Sequence, residues 1–280
     1  MRAVLVTGAS TGIGEAGALR LARNGWHVFA GVRRDDDGAR LEKAAPTSTL
    51  TPVLLDVTDA QQIEAAAKLI AEEGNGGLAG LVNNAGVGRG GPIEYLPMEE
   101  WREQLEINVI GQIAVTQAML PLIRQAEGRI VFMGSIAGRI AGEFYGPYAA
   151  SKHALEAVAE SLRHELRPWN LRVVLVEPGA IKTPIWDKAQ QTADDLEANL
   201  PPEGIERYAP AIAAARAGFV QQQTSGIHAD RVAQVVERAL TAPNPRARYL
   251  VGTDALVAGS LTRVLPDRIK DGLVRRMTRG

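Results

Sequence analysis

The chain has 280 residues, enough to form a full hydrophobic core in one or two domains without disulfides or structural metal ions. Its 31 basic residues (Lys and Arg) nearly balance its 32 acidic residues (Asp and Glu), so nucleic acid is not expected as a partner. Cysteine is absent, which excludes disulfides, thiolate metal sites and a cysteine nucleophile. Without a signal-peptide pattern or an uncharged membrane-spanning stretch, we expect a cytoplasmic protein.

Seven short apolar runs predict β-strands, over residues 3–7, 26–32, 51–55, 78–83, 129–133, 171–176 and 248–252. Most are apolar at consecutive positions, as in parallel strands that helices cover on both faces. Helical patterns between them predict helices over residues 13–24, 60–73, 97–108, 111–124, 148–167 and 230–240. This alternation predicts one α/β domain, a doubly wound Rossmann-type fold with about seven parallel strands flanked by helices.

Two regions depart from this alternation. Residues 185–228, rich in Ala, Gln and Pro, predict a helical insert within a catalytic domain of residues 1–252. Residues 253–280 form a basic C-terminal extension with apolar residues at helical spacing. We interpret the extension as a helix packed over the pocket or a subunit interface, because Pro266 interrupts it. Contact with a membrane surface is the alternative.

A glycine-rich loop joins the first predicted strand to the first predicted helix. Its glycines at positions 8, 12 and 14 permit a tight turn and a close approach to a pyrophosphate, which the helix N-terminus would bind. The spacing predicts a dinucleotide site, with an ordinary strand-to-helix turn as the alternative.

The end of the second predicted strand bears on the choice of cofactor. Val32 stands where NAD sites usually have an acid, and Arg33 and Arg34 follow it, which favours NADP(H). NAD(H) remains the alternative because the three aspartates at 35–37 could neutralise both arginines.

A tyrosine and a lysine predict acid–base chemistry. Tyr148 and Lys152 lie four residues apart, on one face of a predicted helix. A neighbouring ammonium would lower the pKa of the phenol and allow it to exchange a proton with a substrate oxygen. Ser135 follows a predicted strand at the edge where ligands bind, and its hydroxyl would contact the same oxygen.

These motifs, in this order, resemble those of the short-chain dehydrogenase/reductases along nearly the whole chain, with a leaning toward the steroid and retinol dehydrogenase branch. The resemblance implies a catalytic tetrad of Asn108, Ser135, Tyr148 and Lys152. It also implies a cofactor-binding set, which comprises Gly8, Ser10, Thr11, Gly12, Ile13, Gly14, Arg33, Asp56, Val57, Asn83, Ala85, Gly86, Tyr148, Lys152, Pro178, Gly179, Ile181 and Thr183.

The resemblance further implies a mechanism and partners. Tyr148 would be the acid–base, and Asn108 would hold a water that links Lys152 to solvent. Ser135, Tyr145, Tyr148 and Trp186 would contact a small apolar alcohol or ketone. The family implies a homodimer or homotetramer, and no metal site is expected because the four histidines lack ligand spacing. A cofactor-binding regulator without turnover is the alternative function.

Overall fold

The strands of the protein were located in a computed structural model that describes residues 1–74, 76–261, 266, 268–269 and 271–272. They are β1 (Arg2–Val6), β2 (Trp26–Val32), β3 (Leu50–Leu54), β4 (Gly80–Asn83), β5 (Arg129–Met133), β6 (Arg172–Pro178), β7 (Ile181–Lys182), β8 (Ile227–His228) and β9 (Arg248–Val251). Seven of them form one parallel sheet in the order β3-β2-β1-β4-β5-β6-β9. The predicted seven-stranded parallel sheet is confirmed, and each strand lies within two residues of its predicted bounds.

Helices cover both faces of this sheet. They are α1 (Gly12–Arg23), α2 (Asp35–Ala44), α3 (Ala60–Glu73), α4 (Met98–Leu105), α5 (Gly111–Gln125), α6 (Gly146–Glu165), α7 (Ile185–Ala198), α8 (Pro202–Ser225), α9 (Ala229–Thr241) and α10 (Thr253–Leu261). Apolar side chains of α1, α2 and α9 pack on one face of the sheet, and those of α3, α5 and α6 pack on the other. Because alternate strand residues point to opposite faces, the two helical layers form two separate cores.

The helix α2 was not among the predicted elements. Its first turn is made of three aspartates, and Gly38 follows, so intrinsic helix propensity there is low. The aspartates suit the positive end of the helix dipole. Gly38 lets the helix lie against β3, because an added Cβ would come within 2.7 Å of the Pro52 side chain.

The insert consists of α7 and α8. The strands at its two ends, β7 and β8, pair in parallel, with Ile181 opposite Ile227. The insert therefore leaves the sheet domain and returns to it at one place. The described part of the C-terminal extension begins with α10, where Ala255 is fully buried against the domain. Most of the predicted amphipathic helix beyond α10 lies outside the described residues.

The helical segment Met98–Gln125 is long and apolar enough to cross a membrane by length and composition alone. It comprises α4, a π-helical turn (Glu106–Ile110) and α5. Val115, Met119 and Ile123 are fully buried beneath the sheet. We therefore interpret the segment as a core helix.

The ends of β1 and β4 are joined by side-chain hydrogen bonds. The Thr7 hydroxyl accepts hydrogen bonds from the backbone N–H groups of Asn84 and Ala85, each at 2.9 Å. The Asn84 amide donates to the backbone oxygens of Thr7 (2.9 Å) and Gly8 (3.1 Å). The chain leaves these two adjacent strands in opposite directions, so a crevice opens at their carboxyl ends, where α/β sheets bind ligands.

Two glycines of α1 provide a test of how closely this helix packs against the loop that follows β1. A Cβ on Gly14 would lie 2.2 Å from the Gly8 carbonyl oxygen, whereas a Cβ on Gly17 would meet nothing within 4 Å. We expect Gly14→Ala to lower the free energy of unfolding by about 1–3 kcal/mol, as overpacking does. The matched change Gly17→Ala should raise it by about 0.5–1 kcal/mol through helix propensity. Urea denaturation of both variants measures this, and equal stabilities would contradict it.

Candidate active site

A cavity of about 1100 Å³ lies at the carboxyl ends of the strands, between the sheet and the insert. Nearly all predicted site residues line it, which are Gly8, Ser10, Thr11, Gly12, Ile13, Gly14, Arg33, Asp56, Val57, Ala85, Gly86, Ser135, Tyr145, Tyr148, Lys152, Pro178, Gly179, Ile181, Thr183 and Trp186. Asn83 and Asn108 do not. The volume slightly exceeds the ~300–1000 Å³ typical of single-ligand pockets, so the cavity has room for an extended cofactor.

The glycine-rich loop forms the floor of the cavity at the start of α1. Gly8 (φ 63°) and Gly12 (φ 62°) adopt left-handed backbone conformations, which side chains disfavour. The N-terminus of α1 receives no hydrogen bond from the side chain of its N-cap residue, Thr11. Its first N–H groups therefore remain available to an anion at the positive end of the helix dipole. This cradle fits a pyrophosphate.

Arg33 and Asp56 lie at one end of the cavity, beyond β2 and β3. Asp56 accepts hydrogen bonds from the N–H (3.0 Å) and hydroxyl (2.8 Å) of Thr58, which hold its carboxylate at the cavity wall. Arg34 pairs with Asp37 at 3.0 Å. Among the described residues, no ion-pair partner of Arg33 is found. The following acids thus neutralise Arg34 and leave Arg33 exposed at the cavity.

Ser135 and Tyr148 meet on the opposite wall. Ser135 follows β5, and its hydroxyl caps the 3-10 turn Ile136–Gly138 by accepting a hydrogen bond from Ala137 N–H at 3.1 Å. Tyr148 lies in the first turn of α6. Burial raises the pKa of Tyr148 above its ordinary value, and its hydrogen bond with Ser135 opposes this rise only in part.

Lys152 lies one turn further along α6, beneath Tyr148. Its Nζ is 5.6 Å from the Tyr148 ring centroid and donates a hydrogen bond to the Met133 carbonyl oxygen at 2.8 Å. Burial lowers the pKa of Lys152 to about 8. The sequence predicts that this ammonium lowers the pKa of Tyr148. The pKa of Tyr148 is instead raised, because burial dominates.

Asn108 occupies the middle of the π-helical turn rather than the cavity wall. Its amide oxygen accepts from Val87 N–H (2.8 Å), and its amide nitrogen donates to the Val87 carbonyl (3.0 Å) and to Ser151 Oγ (3.1 Å). The side chain therefore ties the loop after β4 to α6. Asn83 is likewise fully buried, where it donates to Thr116 Oγ1 at 2.8 Å. Both asparagines shape the cavity without touching it.

The segment between β6 and β7 forms another wall of the cavity. The Asp254 carboxylate at the start of α10 accepts a hydrogen bond from Ala180 N–H at 2.7 Å. A Cβ on Gly179 would come within 2.0 Å of this carboxylate, so glycine is required there. The C-terminal extension thus holds a segment that the sequence assigns to the cofactor.

The insert also lines the cavity. Trp186 lines the cavity, and its indole N–H donates to the Ile181 carbonyl at 2.7 Å. Tyr145 lies beside Tyr148, with ring centroids 6.4 Å apart. Burial raises the pKa of Tyr145, and a hydrogen bond with Gln222 of α8 opposes the rise.

Asp254 and Gln222 are among the cavity-lining residues that sequence reasoning missed. An acid near a helix start is a usual sequence signal, so Thr253-Asp254 marks the beginning of α10. Nothing in the sequence shows that its carboxylate reaches Ala180. Gln222 stands in a run of three glutamines, and no local signal distinguishes the one that bonds to Tyr145.

Comparison with known proteins agrees with this geometry. The sequence model of the short chain dehydrogenase family matches residues 2–194. The chain is 35% identical over 277 residues to the NADPH-dependent 3-dehydrocapnine reductase of Ornithobacterium rhinotracheale, covering 97% of this chain and 95% of that one. It is 37% identical over 279 residues to retinol dehydrogenase 5 of Mus musculus, covering 97% and 87%.

Solved structures show the same fold. A short chain dehydrogenase from Burkholderia cenocepacia, in complex with NADP, has a TM-score of 0.71 and 25% identity over 99% of both chains. A short chain dehydrogenase/reductase from Burkholderia phymatum, in complex with NAD, has a TM-score of 0.79 and 26% identity, covering 93% of this chain and 92% of that one.

The parallel sheet and its glycine-lined cavity define an oxidoreductase of the Rossmann type that uses a nicotinamide dinucleotide. The chain belongs to the short-chain dehydrogenase/reductase family, and the predicted resemblance, including the retinol dehydrogenase branch, is confirmed.

Because Lys152 is buried, we expect the free energy of unfolding to depend on pH. Between about pH 8 and pH 10.5 the unfolded chain holds the Lys152 proton and the folded chain does not. The unfolded state then binds more protons, so the free energy of unfolding rises with pH. Relative to Lys152→Met, the wild type should gain up to about 3 kcal/mol across this interval.

Urea denaturation at a series of pH values measures this gain. The exposed Lys68 provides the matched control, and the difference between wild type and Lys68→Met should stay constant. A constant difference for Lys152→Met would show that Lys152 keeps its ordinary pKa in the folded protein.

Proposed function

We propose that the protein transfers a hydride between NADP(H) and an apolar secondary alcohol or ketone, with Tyr148 as the acid–base. One observation carries this proposal. The side chains of Ser135 and Tyr148 and the buried amine of Lys152 line the same cavity as the glycine-rich loop. A dinucleotide bound along that loop would therefore end beside the two hydroxyls.

Each residue has a distinct role in this proposal. The nicotinamide supplies or accepts the hydride when bound. Tyr148 donates a proton to the substrate oxygen in reduction and removes it in oxidation, while Ser135 donates a hydrogen bond to the same oxygen. Lys152 binds the cofactor ribose and, as an ammonium, offsets the charge of the phenolate.

Asn108 completes the proposed set indirectly. A water near Lys152 would bond to the backbone of the π-helical turn, because the Asn108 amide is already bonded to Val87 and Ser151. π-Helical turns inside α-helices are frequent at functional sites. The alternative of a regulator without turnover is not favoured, since the relatives are named as reductases and dehydrogenases.

The preference for NADP(H) rests on Arg33. Its exposed guanidinium lines the cavity at the end of β2, where the 2′-phosphate of the cofactor would lie. The Ornithobacterium relative is NADPH-dependent by name, and the two solved structures contain NADP and NAD respectively. A cationic side chain and the lack of an acid at Val32 support the phosphorylated cofactor.

A neutral substrate fits the charges on the insert side of the cavity. Arg89 pairs with Glu103 at 2.6 Å and with Glu100 at 3.1 Å. Arg216 pairs with Asp194 and with Glu197. Both arginines line the cavity but are already compensated, so neither favours an anionic substrate. Trp186 and other apolar side chains of the insert suit an apolar one.

We also propose a cytoplasmic homo-oligomer. Leu105 (37% exposed) and Ile110 (51% exposed) lie at the junction of α4 and α5, where a second copy would cover them. A membrane-surface contact through the C-terminal extension is the less favoured alternative.

The first prediction from this proposal concerns Tyr148. Tyr148→Phe keeps the ring and removes the proton donor, so turnover should fall at least a hundredfold while cofactor affinity is retained. Absorbance at 340 nm with a panel of ketones and alcohols measures turnover, and fluorescence titration measures cofactor affinity. Tyr249→Phe, on β9 and outside the cavity lining, is the control and should remain active. A Tyr148→Phe enzyme with near-wild-type turnover would refute the assignment.

The second prediction concerns the cofactor. Arg33→Ala should weaken NADPH binding about ten- to a hundredfold and leave NADH binding unchanged, because charge-assisted hydrogen bonds contribute ~1.5–3 kcal/mol. The neighbouring Arg34→Ala is the matched control, since Arg34 pairs with Asp37 and does not line the cavity. If wild type binds NADH tightly and NADPH not at all, the cofactor choice is wrong.

A further inference from the structure

Four charged side chains form a cluster behind the cavity, between α6 and the sheet. Glu177 is fully buried at the end of β6, and its Oε2 lies 2.6 Å from the Arg139 guanidinium. Arg248 of β9 contacts Glu156 of α6 at 2.9 Å and Glu177 at 3.5 Å. The side chains of Arg139, Glu156 and Arg248 are 12%, 14% and 26% exposed. The cluster is thus largely shielded from solvent.

Three members of this cluster come from the segments that carry the site. Arg139 ends the turn that begins at Ser135. Glu156 stands one helical turn after Lys152 on α6. Glu177 directly precedes the Pro178–Gly179 wall of the cavity. The cluster therefore joins segments that are distant in sequence and adjacent in the site.

The turn that carries Ser135 lies against the side chains of both Glu177 and Glu156. A Cβ on Gly134 would lie 3.4 Å from the Glu177 side chain, and a Cβ on Gly138 would lie 3.3 Å from the Glu156 side chain. Gly134 N–H also donates to the Val176 carbonyl at 2.7 Å. The turn is thus held against β6 on one side and against α6 on the other.

Stability alone does not account for such a cluster. Buried ion pairs lose much of their attraction to desolvation, and apolar side chains of similar volume often stabilise a fold as well or better. Burial, together with the neighbouring carboxyl of Glu177, raises the pKa of Glu156 to about 7. The desolvation of these charges therefore lowers the stability gained from the cluster, and a role in positioning the neighbouring site would account for its presence.

We propose that Arg139 and Glu177 are positioning residues that hold the Ser135 turn against the Pro178–Gly179 wall. Through this ion pair, the two hydroxyls of Ser135 and Tyr148 keep their place relative to the nicotinamide half of the cofactor. The inference rests on the proposed function, and it adds two residues that touch neither substrate nor cofactor. Among the described residues, no hydrogen bond or ion pair joins Arg33 or Asp56, in the adenosine half of the site, to a member of the cluster.

The test replaces the ion pair with an apolar pair, Arg139→Met together with Glu177→Met, so that no buried charge is left unpaired. We expect kcat per folded protein to fall tenfold or more and NADPH to bind at least fivefold more weakly. Adenosine 2′,5′-bisphosphate, which occupies only the adenosine half, should bind with unchanged affinity. A purely structural role would lower the melting temperature and leave kcat of the folded fraction unchanged, which would overturn the proposal.

A matched control removes another ion pair that joins two elements. Arg20 and Glu237 pair at 2.7 Å between α1 and α9, outside the cavity lining. Arg20→Met with Glu237→Met should leave kcat and both affinities unchanged, and an equal loss of kcat in this control would overturn the proposal.

If the first double variant does not fold, Arg139→Lys retains the charge and should lower kcat at least threefold without loss of melting temperature. Wild-type kcat in Arg139→Lys would then overturn it.

Failure of the proposed function is distinguishable from failure of this inference. A wild type that binds NADPH but turns over no alcohol or ketone would refute the function. The ratio of NADPH to adenosine 2′,5′-bisphosphate affinity would still report on the ion pair, and a ratio unchanged in the double variant would refute the positioning role.

Discussion

The hydrogen bonds between the ends of β1 and β4 are the constraint on which the site depends. Thr7 and Asn84 form hydrogen bonds with each other through side chain and backbone. These bonds keep the ends of β1 and β4 side by side, although the chain leaves the two strands toward opposite sides of the sheet. Gly8 and Gly14 can then pack within a distance that no side chain would tolerate. Because every strand of the sheet is parallel, this single edge collects the loops after β1, β4, β5 and β6. The cavity is the space that these loops enclose.

The sequence predicted the seven strands of the parallel sheet well, and it predicted many residues that line the cavity, because their signals are local. Buried parallel strands appear in the sequence as apolar runs. Tyr148 and Lys152 are four residues apart, so they lie on one helix face wherever that helix begins. Contacts between distant segments could not be predicted. No sequence signal near Asp254 indicates its hydrogen bond with Ala180, and none near Arg139 indicates its ion pair with Glu177. The helix α2 was missed for a different reason, since its aspartates and Gly38 have low helix propensity and only tertiary contact with Pro52 accounts for the glycine.

The electrostatics of Tyr148 and Lys152 differ from the simple expectation of a base activated by its neighbour. Burial disfavours the charged form of each group, which raises the pKa of the phenol and lowers that of the amine. A lone phenolate or a lone ammonium is therefore costly in this environment. In the proposed function the two charges would offset each other when they form together, so proton movement at Tyr148 would be coupled to the charge state of Lys152. Ser135 favours the charged form of Tyr148 and so opposes part of the effect of burial.

The short parallel pairing of β7 with β8 has a consequence for how the protein can diversify. The pairing holds the two ends of the insert next to each other. The sheet domain therefore already offsets the entropic cost of bringing these two ends together. Helices of other lengths and compositions can then replace α7 and α8 at little cost to the stability of the remainder. In the proposed function, the residues that act on the cofactor and the insert that would contact the substrate are separate parts of the chain, so the insert can change during evolution while the sheet domain is kept.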